Sequence, residues 1–212
     1  MGALRGMKKV CVLASGGFDS SMLLADFLAQ GYEVHPFYVR SGFYWEKAEL
    51  HWLKRFLKAL KSPRLKPLTV AEAPMHWVMG GHWSLTGRGV PSAEAAWDSV
   101  YLPGRNLLLL SQAGVFAAAR GIPTVALAVL KGNPFADSTP RFLKTMESAI
   151  NDALGSRVRV VAPYAKLRKA GVFQRLRRCC YPLELTFSCL RPRGVKPCGR
   201  CSKCAEREAG LR

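Results

Sequence analysis

Ser15, Gly16, Gly17, Phe18, Asp19, Ser20 and Ser21 form a short turn sequence after an apolar stretch. Two adjacent glycines let a backbone approach an anion closely and adopt positive φ. A helix that begins directly after such a turn adds free N–H groups and the positive end of its dipole. The hydroxyls of Ser15, Ser20 and Ser21 add further donors, so the pattern predicts a phosphate cradle. Asp19 has the wrong charge to bind phosphate directly and is expected to hold Mg²⁺ bridging to the phosphates. The chain lacks the Gly-Lys-Ser/Thr ending of the common P-loop here, and it lacks Gly-x-Gly-x-x-Gly. Transfer of a γ-phosphate in the P-loop manner and a dinucleotide site are therefore not indicated. The plainer alternative is a strand-to-helix turn with Asp19 as its N-cap.

A second constellation lies near the other end. Cys189, Cys198, Cys201 and Cys204 are spaced C-x8-C-x2-C-x2-C. Four thiolates at such spacing suit a closed, tetrahedral, structural Zn²⁺ site, and Gly199 eases the turn inside the first short step. An iron–sulfur cluster uses the same ligand type. Reactive thiols beside Arg200 and Lys203 are a third reading. Cys179 and Cys180 have no partners at ligand spacing, and Cys11 reads as a small core residue. Seven cysteines in all, six of them after residue 178, suit a metal site better than a disulfide framework.

Arg105 is the third candidate. It follows Pro103-Gly104 at the expected start of a helix, where its fork could give a carboxylate or a phosphate paired, charged hydrogen bonds; the plainer alternative is a surface arginine at a helix start.

These residues need elements to position them. The run from Lys8 to Ala14 has no polar alternation and predicts a parallel strand buried on both faces. Asp19–Gln30 predicts a helix ended by Gly31. Strands over Glu33–Val39, Leu65–Val70, Pro123–Leu130 and Arg157–Val161 alternate with helices over Trp45–Leu60, Gly104–Arg120 and Pro140–Leu154. This alternation predicts an α/β fold: a doubly wound parallel sheet with helices on both faces. Ala71–Pro103 is an irregular stretch, long enough to suggest a functional or mobile loop. The expected division is an ATP-binding α/β domain over 1–178 and a zinc-binding segment over 179–212.

The formal charge is +18, and residues 157–212 hold fifteen Lys and Arg against three Glu, a net +12. A basic face favours phosphates of nucleotides or RNA, although a solvated basic tail is equally compatible with the composition. The longest nearly apolar run, Leu107–Ala119, falls short of the ~20 residues that span a bilayer. Residues Met1–Lys9 lack the apolar core of a secretory signal, and Met7 is a second candidate start. A cytoplasmic protein is expected.

The string from Leu13 to Ser20 resembles the SGGxDS signature of the PP-loop ATP pyrophosphatases. That resemblance implies cleavage between the α- and β-phosphates and transfer of AMP to a substrate oxygen. Combined with Tyr101-Leu102-Pro103-Gly104-Arg105-Asn106, with Pro182 through Cys189, and with the cysteine ladder through Cys204, the chain resembles the 7-cyano-7-deazaguanine synthase (QueC-type) family over nearly its whole length. The resemblance implies an adenine nucleotide α-hydrolase-like, Rossmann-like fold with ATP at Leu13, Ala14, Ser15, Gly16, Gly17, Phe18, Asp19, Ser20 and Ser21. It implies catalytic roles for Asp19, Ser20 and Arg105. It further implies that 7-carboxy-7-deazaguanine and ammonia become a nitrile through two adenylations. Arg105, Asn133 and Asp137 would bind the deazapurine acid, with Phe43 or Tyr44 stacking on its ring. Asp137 could instead cap the helix that starts near Pro140. The stretches Ser41–Glu46 and Lys131–Phe142 depart from the family pattern. Nucleic acid is allowed but not required, a homodimer is allowed, and no membrane partner is expected. Two rival readings share the same residues: a PP-loop adenylating enzyme for another acid or a tRNA base, and a non-catalytic zinc-ribbon RNA-binding protein.

Overall fold

The computed structural model describes residues 8–177 and 181–211. Cys179 and Cys180 fall outside them. β1 (Lys9–Leu13) is the central strand of a five-stranded parallel sheet ordered β3-β2-β1-β4-β5. The other strands are β2 (Glu33–Arg40), β3 (Thr69–Glu72), β4 (Thr124–Ala126) and β5 (Arg159–Val161). β1 has no polar alternation because both faces are covered. Val10, Val12 and Ala14 point to a core shared with α1 (Phe18–Ala29) and α2 (Glu46–Ala59). Cys11 and Leu13 point to the opposite core, built with α5 (Arg105–Ala119) and α6 (Pro140–Leu154). The expected doubly wound sheet is thus the observed one, and Gly31 ends α1 at φ 81 as expected.

β3 begins four residues later than the expected strand. Leu65 makes only an isolated bridge to Val34, and Pro67, lacking an N–H, interrupts the ladder between them. β4 is likewise shorter than the apolar run that contains it. In the long irregular stretch, α3 (His76–Met79), α4 (Trp83–Thr86) and a 3₁₀ turn (Trp97–Val100) follow the end of β3. Its apolar side chains build a third cluster: Met75 and Leu102 pack with Phe43, Trp45, Phe187, Cys189 and Cys201. The stretch therefore binds the cysteine segment to the sheet. An antiparallel bridge from Ser92 to Cys201 and a bond from the Ser202 N–H to the Pro91 carbonyl (3.2 Å) make the same connection.

Besides the short α3 and α4, two longer helices among the described residues were not expected from the sequence, α7 (Lys169–Arg177) and α8 (Ser202–Leu211). α7 lies in a basic stretch that reads as solvated chain. α8 grows directly out of the cysteine turn. No helix among the described residues is long and apolar enough to cross a membrane.

Candidate functional site

The chain leaves β1 and passes first to β2 and β3 on one side, then returns to β4 on the other. At this change of direction the carboxyl ends of the strands leave a crevice, the usual ligand position in open α/β sheets. A cavity of ≈ 390 Å³ opens there. Leu13, Ala14, Ser15, Gly17, Phe18, Asp19 and Ser20 all line it, and so do Arg105, Asn133 and Asp137. Residues read from three separate stretches of sequence thus meet in one space.

Gly16 and Ser21 do not line it. Gly16 takes φ +71, and a Cβ there would sit 3.1 Å from both the Glu49 carbonyl oxygen and Leu53 Cβ. It shapes the turn from behind, against α2. Gly17 has φ −66 and does not use the left-handed region. Only one of the two glycines therefore serves the positive φ expected of the pair. Ser21 is 1% exposed, and its Oγ is buried with no hydrogen-bond partner among the described residues. Ser20 Oγ accepts from the Ser15 N–H at 3.1 Å and donates to the Gly17 carbonyl at 3.1 Å. Its proton is committed to holding the loop's shape.

Asp19, in the first turn of α1, is joined by residues the sequence did not single out. Lys169 Nζ donates to Asp19 Oδ2 at 2.8 Å and lies 3.0 Å from Glu206 Oε1, which brings α1, α7 and α8 together. Burial raises the Asp19 pKa, with the nearby Lys169 charge working against that shift. Burial also opposes the charge on Lys169, but Asp19 and Glu206 outweigh it and its pKa is raised. Asp19 Oδ1 is buried with no hydrogen-bond partner among the described residues. An orphaned carboxylate oxygen beside a phosphate-type loop fits a divalent cation ligand.

Arg105 is the first residue of α5, following Gly104 at φ 68. Asp137 is 8% exposed, and its Oδ2 accepts from the Asn106 N–H at 3.1 Å. It therefore caps α5. The start of α6 is capped by Thr139, whose side chain accepts from the Phe142 N–H. Asn133 Oδ1 accepts from the Phe135 N–H at 3.0 Å, shaping the loop before it. Phe43 lines the cavity and stacks on Trp45, with ring centroids 5.0 Å apart, and Trp45 stacks on Trp83. Tyr44 does not line the cavity. Instead its ring lies against Gly87, where a Cβ would meet it at 2.6 Å.

The cysteine turn sits close behind this site. The Sγ atoms of Cys189, Cys198, Cys201 and Cys204 all lie within 4.8 Å of one another. A tetrahedral ion with Zn–S bonds of about 2.3 Å requires sulfurs about 3.8 Å apart, so the arrangement fits. Cys189 Sγ accepts from the N–H groups of Arg191 (3.3 Å) and Cys198 (3.2 Å), bonds that favour thiolate. The same segment closes the cavity. The Phe187 N–H donates to the Gly16 carbonyl at 2.8 Å, and Arg207 of α8 donates to the Leu183 carbonyl at 3.0 Å.

A parallel sheet whose switch-point crevice holds a Ser-Gly-Gly-Phe-Asp-Ser turn defines an ATP-utilising α/β protein of the PP-loop class. Two solved structures share the fold. One is a 4-thiouridine synthetase–RNA complex with bound ATP (TM-score 0.53, 17% identity, 96% of this chain and 50% of that one). The other is a predicted subunit of tRNA methyltransferase from Methanocaldococcus jannaschii (TM-score 0.50, 13% identity, 93% of this chain and 100% of that one). The chain belongs to the queuosine biosynthesis protein QueC family, whose model matches residues 9–212. Among its relatives, 7-cyano-7-deazaguanine synthase 1 of Desulfitobacterium hafniense is 31% identical over 209 residues, covering 97% of this chain and 92% of that protein. The 7-cyano-7-deazaguanine synthase of Archaeoglobus fulgidus is 32% identical over 206 residues, covering 94% and 84%.

Proposed function

We propose that the chain is an ATP-dependent carbon–nitrogen ligase that converts 7-carboxy-7-deazaguanine and ammonia to 7-cyano-7-deazaguanine, a step toward queuosine. Family membership supports this, as do relatives of that name aligned over more than nine-tenths of the chain. The observation that carries it is the single cavity holding both the phosphate loop and the cationic start of α5.

The chemical problem is a carboxylate oxygen that leaves poorly. Transfer of AMP to that oxygen makes it a good leaving group, and ammonia then displaces it to give the amide. A second adenylation, of the amide oxygen, drives dehydration to the nitrile. In this reading the loop over Leu13–Ser20 receives the ATP phosphates, with Ser20 and Gly16 fixing its shape. Asp19 would hold Mg²⁺, which supplies charge neutralisation at the phosphates. Arg105 binds the substrate carboxylate or the phosphates. Asp137 and Asn133 form the deazapurine side, and Phe43 offers an aromatic wall. Residues 1–178 act as the ATP domain. Residues 179–212 act as the zinc segment, with Cys189, Cys198, Cys201 and Cys204 as ligands. A cytoplasmic location and a homodimer are both consistent with this reading.

The test is incubation of the protein with ATP, Mg²⁺, ammonia and 7-carboxy-7-deazaguanine, followed by product mass. Amide and then nitrile are expected, with no stimulation by free RNA. The reading fails if neither forms while another acid, or a tRNA, supports AMP formation.

A further inference from the structure

We propose that Glu49 of α2 is the proton acceptor for the ammonia nitrogen that attacks the adenylated carboxyl carbon, an inference that rests on the ligase reading above. Glu49 lines the same cavity as Asp19 and Arg105. It is also fixed relative to the phosphate loop, because its own carbonyl is one of the two groups against which Gly16 is packed. Tyr38 of β2 holds the carboxylate by donating its hydroxyl to Oε2 at 2.8 Å. A carboxylate has about four lone-pair positions, so this donor leaves capacity for a ligand N–H.

The charges around it set its basicity. Burial raises the Glu49 pKa, the Arg105 charge from α5 and the Tyr38 bond oppose it, Glu46 on the same helix adds to it, and the balance is a pKa raised to about 7. Burial raises the Tyr38 phenol far above its usual range, so Tyr38 remains a donor at any working pH. A general base works best when its pKa lies near the operating pH. Arg105, one of whose two proposed roles is to hold the substrate carboxylate, lies close enough for its charge to act on Glu49, so in that role it brings the reacting carbon toward Glu49.

The step balances without any further reactant. The nitrogen lone pair forms the C–N bond. The C–O bond to the adenylate breaks and its electron pair leaves with the AMP phosphate. The proton shed by nitrogen passes to Glu49 and from there to solvent.

The experiment separates this role from mere support of α2 on β2. In Glu49→Gln, acid-dependent ATP–pyrophosphate exchange should stay within about twofold of wild type while ammonia-dependent amide formation falls about 100-fold. Hydroxylamine forms a far more acidic cation whose proton passes readily to water. It should therefore give hydroxamate in Glu49→Gln at close to the wild-type rate. Glu49→Asp, one methylene shorter with its charge kept, should recover part of the amide rate. With the concentration of free NH₃ held constant at each pH, wild-type amide formation should rise as pH increases through about 7, because the base form accumulates, and Glu49→Gln should lose that rise. Three outcomes overturn the proposal: unchanged amide formation in Glu49→Gln, a pH rise that survives in it, or equal loss of exchange and of the hydroxamate reaction. Absence of acid-dependent exchange in the wild type would be a different failure, removing the ligase reading and this proposal with it.

Discussion

Asp19 and Lys169 are 150 positions apart in sequence and 2.8 Å apart in space. Asp19 shares one carboxylate oxygen with that lysine and keeps the other buried, with no hydrogen-bond partner among the described residues. Asp19→Asn removes charge but little volume, so the fold should persist. Pyrophosphate release should fall on the order of 100-fold, or ~2.7 kcal/mol of barrier. A wild-type release rate in that variant would mean that no cation is held there. The two loop glycines make a second residue-level contrast. Gly16→Ala places a side chain at φ +71 and drives Cβ to 3.1 Å from the Glu49 carbonyl. It should cost about 2 kcal/mol of stability in chemical denaturation. Gly17→Val keeps ordinary φ but fills the cavity side near Ser15 Oγ, so it should spare the melting temperature and abolish ATP binding by calorimetry.

At the scale of elements, α5 carries Arg105 into the cavity, and its placement depends on two contacts. Asp137 caps its first turn, and Gly114 lets it approach α6 closely. A Cβ at Gly114 would meet Ile150 Cδ1 at 2.6 Å and Cγ1 at 2.9 Å. Valine gains only a few tenths of a kcal/mol in helix propensity over glycine. Overpacking typically costs 1–3 kcal/mol, so steric cost decides the sign. Gly114→Val should therefore destabilise by about 2 kcal/mol, read from the urea midpoint, and should weaken turnover by moving Arg105. Equal or greater stability in that variant would show that α6 can yield. α7 shows the opposite dependence. Its nine residues carry little apolar patterning, and its place comes from Val172, fully buried in the core beside α1, together with Lys169 bridging Asp19 and Glu206.

For the whole molecule, the cysteine segment and the nucleotide loop form one unit. Phe187 bonds to Gly16, Glu206 holds Lys169 against Asp19, and Cys201 packs in the cluster that contains Trp45. Purified protein should carry about one Zn²⁺ per chain. Cys201→Ser should remove that metal. Structural zinc contributes on the order of 10 kcal/mol in small zinc peptides, and even a fraction of that here corresponds to roughly 10 °C in melting temperature. ATP affinity should fall with it, because the segment closes the cavity. Elemental analysis finding iron with labile sulfide, or active protein without metal, would overturn the zinc assignment.

What the sequence determined by itself is local. The apolar run of β1, the turn at Ser15–Ser20, the cysteine spacing and the α/β alternation each depend on neighbours a few residues away. Their physics is therefore written in order along the chain. Arg105 was legible from its place at a helix start, family resemblance added Asn133 and Asp137, and packing then brought the three into one cavity. The tertiary structure alone decided the rest. Glu49 reads as one more polar residue on an amphipathic helix until Tyr38, Trp45 and Arg105 surround it. Lys169 is one cation in a basic stretch until Asp19 and Glu206 meet it. Ser21 directly follows the signature yet is buried off the cavity, because helical rotation turns it away from Ser20. Burial and charge contacts between distant segments set these roles, and no spacing along the chain encodes which segments will meet.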